Sequence, residues 1–303
     1  MVLFLSLGVT ALFADNIKDA ESYIKQGEDK KTLGDYTGAI QDYSEAIELN
    51  PKYADAYYYR GVARCKLQDF TGAIQDYSKA IELTPKEAMA YWLRGDAKLE
   101  LQDYTGAIQD YSNAIELNPK SAGAYWLRGE AKLELQDYTG AIQDYSNAIE
   151  LNPKSAGAYY CRGVAKCKLQ DFTGAIQDYS KAIELTPKDA LAYFNRGVAK
   201  CKLQDFTGAI QDYSKAIELT PKDATAYFNR GVAKDNLQDL TGAIQDYSKA
   251  IELSPKYADA YYCRGLAKEM LKYKFGALKD YSKAGELGET KAYEQIQRIQ
   301  KGH

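Results

Sequence analysis

All seven prolines of the chain fall at residues 51, 85, 119, 153, 187, 221 and 255, one every 34 residues, and 16 of the 23 glycines occupy two phases of the same period. A fixed period of this length means a small structural unit copied in tandem, which buries its apolar face by stacking on its neighbours. The 303 residues therefore do not divide into two ordinary domains, as a prior of about 150 residues per domain would suggest.

Aligned on the prolines, eight repeats start at Ala20, Ala54, Ala88, Ala122, Ala156, Ala190, Ala224 and Ala258. Tyrosine recurs at position 4 (Tyr23 to Tyr261), glycine at 8 (Gly27 to Gly265), alanine at 20 (Ala39 to Ala277), tyrosine at 24 (Tyr43 to Tyr281) and alanine at 27 (Ala46 to Ala284). The intervals 4 to 8, 20 to 24 and 24 to 27 are those of one helix face, so each repeat carries two amphipathic helices whose small residues admit close approach. Between them lies a segment such as Leu67 to Gly72, in which Asp69 can cap the second helix and Gly72 lowers helical propensity near its start. The Asn-Pro, Thr-Pro or Ser-Pro step then ends the repeat, because the residue before proline is pushed out of the helical region.

Tyr at 4, Gly at 8, Ala at 20, Tyr at 24, Ala at 27 and Pro at 32 of a 34-residue unit resembles the tetratricopeptide repeat (TPR). The likeness covers residues 20–288, and Thr-Gly-Ala-Ile-Gln-Asp-Tyr-Ser stands verbatim in seven repeats, from 37–44 to 241–248. The resemblance implies an all-α fold, a right-handed α-solenoid of helix-turn-helix units, with first helices lining a concave groove for a peptide or a partner's helix. The expected organisation is a hydrophobic leader over 1–14, a solenoid over 15–288 (repeats 20–53, 54–87, 88–121, 122–155, 156–189, 190–223, 224–257 and 258–288), and a capping helix and tail over 289–303. The ends of an array lack a neighbour and should depart from the pattern. The first repeat has Gln26 and Asp29 where others carry Arg and Ala, and the eighth has Glu289 in place of proline. Ala292, Tyr293, Ile296 and Ile299 share one helical face, which reads as a C-terminal cap; an independent partner-binding helix is the alternative.

Two positions that the family usually fills with apolar residues are basic. Position 7 carries Arg60, Arg94, Arg128, Arg162, Arg196, Arg230 and Arg264, and position 11 carries Arg64, Lys98, Lys132, Lys166, Lys200, Lys234 and Lys268. Each second helix offers one Asp, from Asp42 to Asp280. A first repeat without the Arg predicts a ladder between repeats, Asp42 with Arg60 through Asp246 with Arg264, leaving Asp280 over. A phosphate track is the other reading of the stripe.

At position 5, which the resemblance places on the concave face, repeats two to eight carry Tyr58, Trp92, Trp126, Tyr160, Phe194, Phe228 and Tyr262. Asp96 and Glu130 are isolated acids beside this row, among apolar neighbours such as Val62, Leu93 and Leu127. So apolar a patch marks an interaction surface; the alternative is a seam buried between repeats. Asn195 and Asn229 occupy position 6 in successive repeats, but the Lys and Asn of the carboxylate clamp found in some TPR co-chaperones are absent at positions 5 and 9. The expected ligand is an apolar or aromatic peptide, with a basic residue facing Asp96 and Glu130.

Composition excludes several other classes. Apolar content of 46% with 27% charged residues is that of a folded chain. A net charge of −3 gives no cationic surplus for nucleic acid. His303 is the only histidine, so His-based catalysis and metal clusters are not expected, and the periodic acids show no local break of the kind a catalytic site makes. The sequence points to no enzyme, cofactor or small-molecule substrate. Cys65, Cys161, Cys167, Cys201 and Cys263 lack C-x-x-C spacing and read as small apolar residues rather than reactive thiols. Residues 1–14 carry no charged side chain, too short a run for the roughly 20 residues of a membrane span and of the length of a signal-peptide core. Export to the periplasm, the envelope or the medium is the expectation; a capping helix is the alternative for this segment. The functional reading is a non-catalytic scaffold for a protein or peptide partner. A self-assembling structural scaffold is the second reading, because residues 91–124 and 125–158 differ by Asp96 against Glu130. An intracellular adaptor is the third, if the leader is no signal.

Overall fold

The computed structural model describes residues 18–301; the leader proposed over 1–14 lies outside them. Among the described residues the chain is all-α, without a strand. The first helices of successive repeats are α1 (18–32), α3 (Ala54–Lys66), α5 (Ala88–Glu100), α7 (Ala122–Glu134), α9 (Ala156–Lys168), α11 (Ala190–Lys202), α13 (Ala224–Asn236) and α15 (Ala258–Met270). The second helices are α2 (Tyr36–Leu49), α4 (Phe70–Leu83), α6 (Tyr104–Leu117), α8 (Tyr138–Leu151), α10 (Phe172–Leu185), α12 (Phe206–Leu219), α14 (Leu240–Leu253) and α16 (Lys274–Glu286), and α17 (Lys291–Gln300) follows. Packing divides the chain into two compact units, the first ending at Pro153 and the second beginning at Lys154. Each is a solenoid of helix pairs in which every helix packs on the next in sequence.

The expected capping holds. The Asp at position 16 accepts a hydrogen bond from the amide of the glycine three residues on, for example Gly72 N to Asp69 Oδ1 at 2.9 Å. The glycine has a steric reason that propensity does not supply, since a Cβ at Gly72 would strike the capping carboxylate. One turn earlier the chain takes a left-handed residue to end the first helix. In the first repeat this is Gly34, but Gln68, Gln102, Gln136, Gln170, Gln204 and Gln238 hold φ of 60–63° in the next six. A side chain in that region costs about 1–2 kcal/mol, so Gln102→Gly should stabilise the fold by about 0.5–1 kcal/mol after glycine's own entropy loss on folding. Urea unfolding of the single variant checks this, and Gln102→Gly with Gln204→Gly should add.

The core lies between paired helices. Tyr43, Tyr77, Tyr111, Tyr145, Tyr179, Tyr213, Tyr247 and Tyr281 are all at most 1% exposed. Each ring rests on the glycine at position 8 of its own repeat; a Cβ on Gly95 would stand 2.8 Å from Tyr111 Cε1. This is the facing of small and large residues that the spacing predicts.

The ladder between repeats is not formed. Arg60 makes a bidentate pair with Asp76 of its own repeat, Nε to Oδ2 at 3.0 Å and Nη2 to Oδ1 at 2.7 Å. The same pairing joins Arg94 to Asp110, Arg128 to Asp144, Arg162 to Asp178, Arg196 to Asp212, Arg230 to Asp246 and Arg264 to Asp280. The position-11 cation takes the other side of the same carboxylate, as Lys98 does at 2.8 Å from Asp110. Asp280 is therefore not left over, and in the first repeat Lys30 pairs with Asp42 at 2.7 Å in the absence of the Arg. What crosses to the preceding repeat is the third guanidinium nitrogen, which donates to the serine at position 25: Arg60 to Ser44 and Arg94 to Ser78, each at 3.0 Å. Each guanidinium also lies over the position-4 tyrosine of its own helix, at 5.5–5.7 Å. Cations held this way are structural, which removes the basis for a phosphate track.

At the C-terminus of the second unit, α17 caps the last pair. Ala292 is fully buried against Tyr281 and Ala284, with Ile296 and Ile299 packed alongside. Arg298 pairs with Glu269 at 2.6 Å. Tyr293 departs from the expected face by remaining 51% exposed, its ring lying over Gly285.

Candidate functional site: the aromatic faces of the first helices

Position 5 falls in the second turn of each first helix, and all seven aromatic side chains there are half-buried. In the first unit, Tyr58 leans on the buried Tyr77 at 6.2 Å and on Tyr59 at 5.3 Å between ring centroids. Trp92 packs on the cluster of Ala107, Tyr111 and Ala131, and its six-membered ring covers Gly123 at the start of α7, where a Cβ would come to 2.9 Å of Cη2. In the second unit Tyr160, Phe194, Phe228 and Tyr262 lean on Tyr179, Tyr213, Tyr247 and Tyr281 at 5.6–5.8 Å. Six of the seven rings thus pack on a buried tyrosine or on the cluster that contains it, and part of each stays open.

The acids and amides separate into different roles. Asp96 accepts the Tyr111 hydroxyl at 2.8 Å; burial pushes its carboxyl above the usual range, against the lowering effect of Tyr111 and the Trp92 indole N–H. Burial raises Glu130 too, and Glu134 adds to this. Asn195 donates to the Tyr160 hydroxyl of the preceding repeat at 2.8 Å, whereas Asn229 turns back to the Thr225 carbonyl of its own helix at 2.9 Å. The two asparagines do not form a common site. Tyr262 is partly covered, since Gln295 of α17 reaches its hydroxyl at 3.5 Å.

The cysteines at position 12 have a partner that spacing could not reveal. Cys65, Cys167 and Cys201 each lie 3.7 Å from the hydroxyl of the buried tyrosine of their own repeat. In the third repeat Asp96 takes that hydroxyl and in the eighth Glu269 does, at 2.8 Å. Burial raises the thiols of Cys65, Cys167 and Cys201, and that of Cys263 to about 12, which disfavours the thiolate. No group of His, Cys, Asp and Glu able to hold a metal occurs among the described residues. None of their helices is long and apolar enough to cross a membrane.

Two cavities of the first unit lie between α3 and α5. One of about 230 Å³ is lined by Asp55, Tyr58, Tyr59, Thr84, Glu87 and Met89. The other, of about 220 Å³, is lined by Val62, Cys65, Tyr77, Leu93, Asp96 and Glu100, with Lys66 at its edge. Of these acids only Asp96 was legible in the sequence as a site residue.

The family model described as TPR repeat matches residues 27–68, 61–102, 95–136, 129–170, 165–204, 199–234 and 236–272. The chain belongs to the tetratricopeptide repeat family. Such an array is a protein-interaction scaffold. Among curated proteins none matches the chain. Among solved structures, MamA is 26% identical over 57% of this chain and 94% of its own, with a TM-score of 0.55. YrrB, described as a TPR protein with an unusual peptide-binding site, is 24% identical over 61% of this chain and 95% of its own, at 0.56, and so shares the fold. The C-terminal part of a TPR repeat-containing protein from Cytophaga hutchinsonii reaches 0.67 at 21% identity, over 78% of this chain and 98% of its own.

Proposed function

We propose that this TPR protein is an exported, non-catalytic scaffold whose first-helix faces hold an apolar or aromatic peptide or helix segment of a partner protein. The observation that carries the reading is the row of position-5 rings. A ring fixed from beneath by a buried tyrosine loses little entropy when a ligand covers its open part, and such rigid aromatic anchors dominate binding energy at interfaces. The placement of α17 on the last helix pair, where a further repeat would stack, favours this reading over end-to-end self-assembly through that end.

The test is affinity capture from an extract of the native host with the full chain, beside Trp92→Ala/Trp126→Ala. Partner binding should weaken by at least about 2 kcal/mol. Because the Trp92 indole also fills the seam over Gly123, Trp92→Leu/Trp126→Leu is run as the companion that keeps apolar volume there, with circular dichroism on both. Equal affinity in well-folded variants would end the groove reading. A mass that grows with protein concentration would turn it to self-assembly. Export predicts that the mature protein starts after Ala14, which N-terminal sequencing of the native protein decides.

A further inference from the structure

We propose that the first compact unit recognises a segment carrying two basic side chains about 10 Å apart, one seated in each of the two cavities between α3 and α5. The inference rests on the groove reading above and names the chemistry of its ligand.

Both cavities pair an apolar or aromatic wall with carboxylates. The first is lined by Tyr58 and Tyr59 with Asp55 and Glu87, and no cation lines it. The second has Val62, Leu93 and Tyr77 with Asp96 and Glu100, against Lys66 alone. Four acids against one base give the strip a charge that a basic side chain complements, while the walls suit the aliphatic stem of Lys or Arg. The same face already seats one ammonium group in this manner. Lys31 Nζ lies 4.9 Å from the centroid of the Tyr59 ring and 2.8 Å from Glu28, so an aromatic face and a carboxylate together hold a lysine beside the first cavity. Asp96 is half-buried beside the buried Trp92 Nε1, which makes no hydrogen bond of good geometry, and a cation there would relieve the cost of keeping its carboxylate charged.

The spacing follows from the helix. Asp55 and Val62 stand seven residues apart on α3, which at 1.5 Å per residue separates the two cavities by about 10 Å. A polyproline-II segment brings residues i and i+3 to one face about 9 Å apart, so a Lys-Pro-Pro-Lys sequence spans them.

The probe is fluorescein-labelled Lys-Pro-Pro-Lys-Pro-Pro, compared with the same peptide bearing norleucine for lysine, titrated by anisotropy against the full chain. The lysine peptide should bind, more weakly as salt rises, and the norleucine peptide should bind at least about tenfold more weakly. Asp55→Asn/Glu87→Gln and Glu100→Gln, all at exposed positions, should each cost about tenfold in affinity with an unchanged helical spectrum. Equal binding of the norleucine peptide, or unaltered binding by both variants, overturns the basic-ligand inference and leaves the groove standing. Binding by neither peptide also overturns it, and the tryptophan variants then judge the groove separately.

Discussion

Asp110→Ala should lower the stability of the fold by about 3–5 kcal/mol, the cost of stripping a buried ion pair of one partner. The Asp110 side chain is 1% exposed and holds Arg94 at 2.6 Å and Lys98 at 2.8 Å. Removing it leaves two cations, each less than a fifth exposed, with their charge uncompensated. Urea unfolding followed by helical circular dichroism measures the loss. Asp42→Ala in the first repeat is the internal comparison. There the partner is a single Lys30 whose side chain is 39% exposed, and the expected loss is about 1 kcal/mol. The triple replacement Asp110→Leu/Arg94→Met/Lys98→Met should recover most of the loss at Asp110, because a well-packed apolar cluster matches or exceeds a buried ion pair. Equal losses at Asp110 and Asp42 would show that the network adds nothing through burial.

Gly95→Val should cost about 3 kcal/mol or more. Even the first added carbon would meet Tyr111 Cε1 at 2.8 Å and Cδ1 at 3.0 Å, and the ring cannot retreat because it is fully buried with its hydroxyl on Asp96. Overpacking of a filled core costs about 1–3 kcal/mol, occasionally more. Gly95→Ala sets the same clash against a gain of about 1 kcal/mol in helix propensity, so it should lose less than Val but still lose. The midpoint of thermal or urea unfolding separates the three chains, and a stabilised Gly95→Ala would show that the ring has room to move.

The helix pairs, their caps and the facing of glycine on tyrosine were legible because each depends on residues a few positions apart within one repeat. The partner of each arginine was not. In a periodic sequence Arg60 has one aspartate 18 residues behind it and another 16 ahead, Asp42 and Asp76, and every repeat poses the same choice. The missing arginine of the first repeat favoured the wrong one, since Lys30 fills the vacancy there. The aromatic row was visible as a row, but how far each ring is covered depends on the tyrosine beneath it and the small residue beside it, as with Trp92 over Gly123. Asp55, Glu87 and Glu100 give no signal along the chain; they line cavities only once α3 and α5 lie side by side.

Pairing within the repeat has a consequence for how such an array can change. Each repeat from the second to the eighth encloses its own aspartate, arginine and second cation, and its arginine reaches the preceding repeat through one hydrogen bond to a serine at those junctions where that bond is described. A recombination event that duplicates or deletes an interior block strands no charge and regenerates the same junction on either side. Copy number is thereby uncoupled from electrostatics, and the length of the array can drift in whole repeats while the first-helix side chains diverge one repeat at a time.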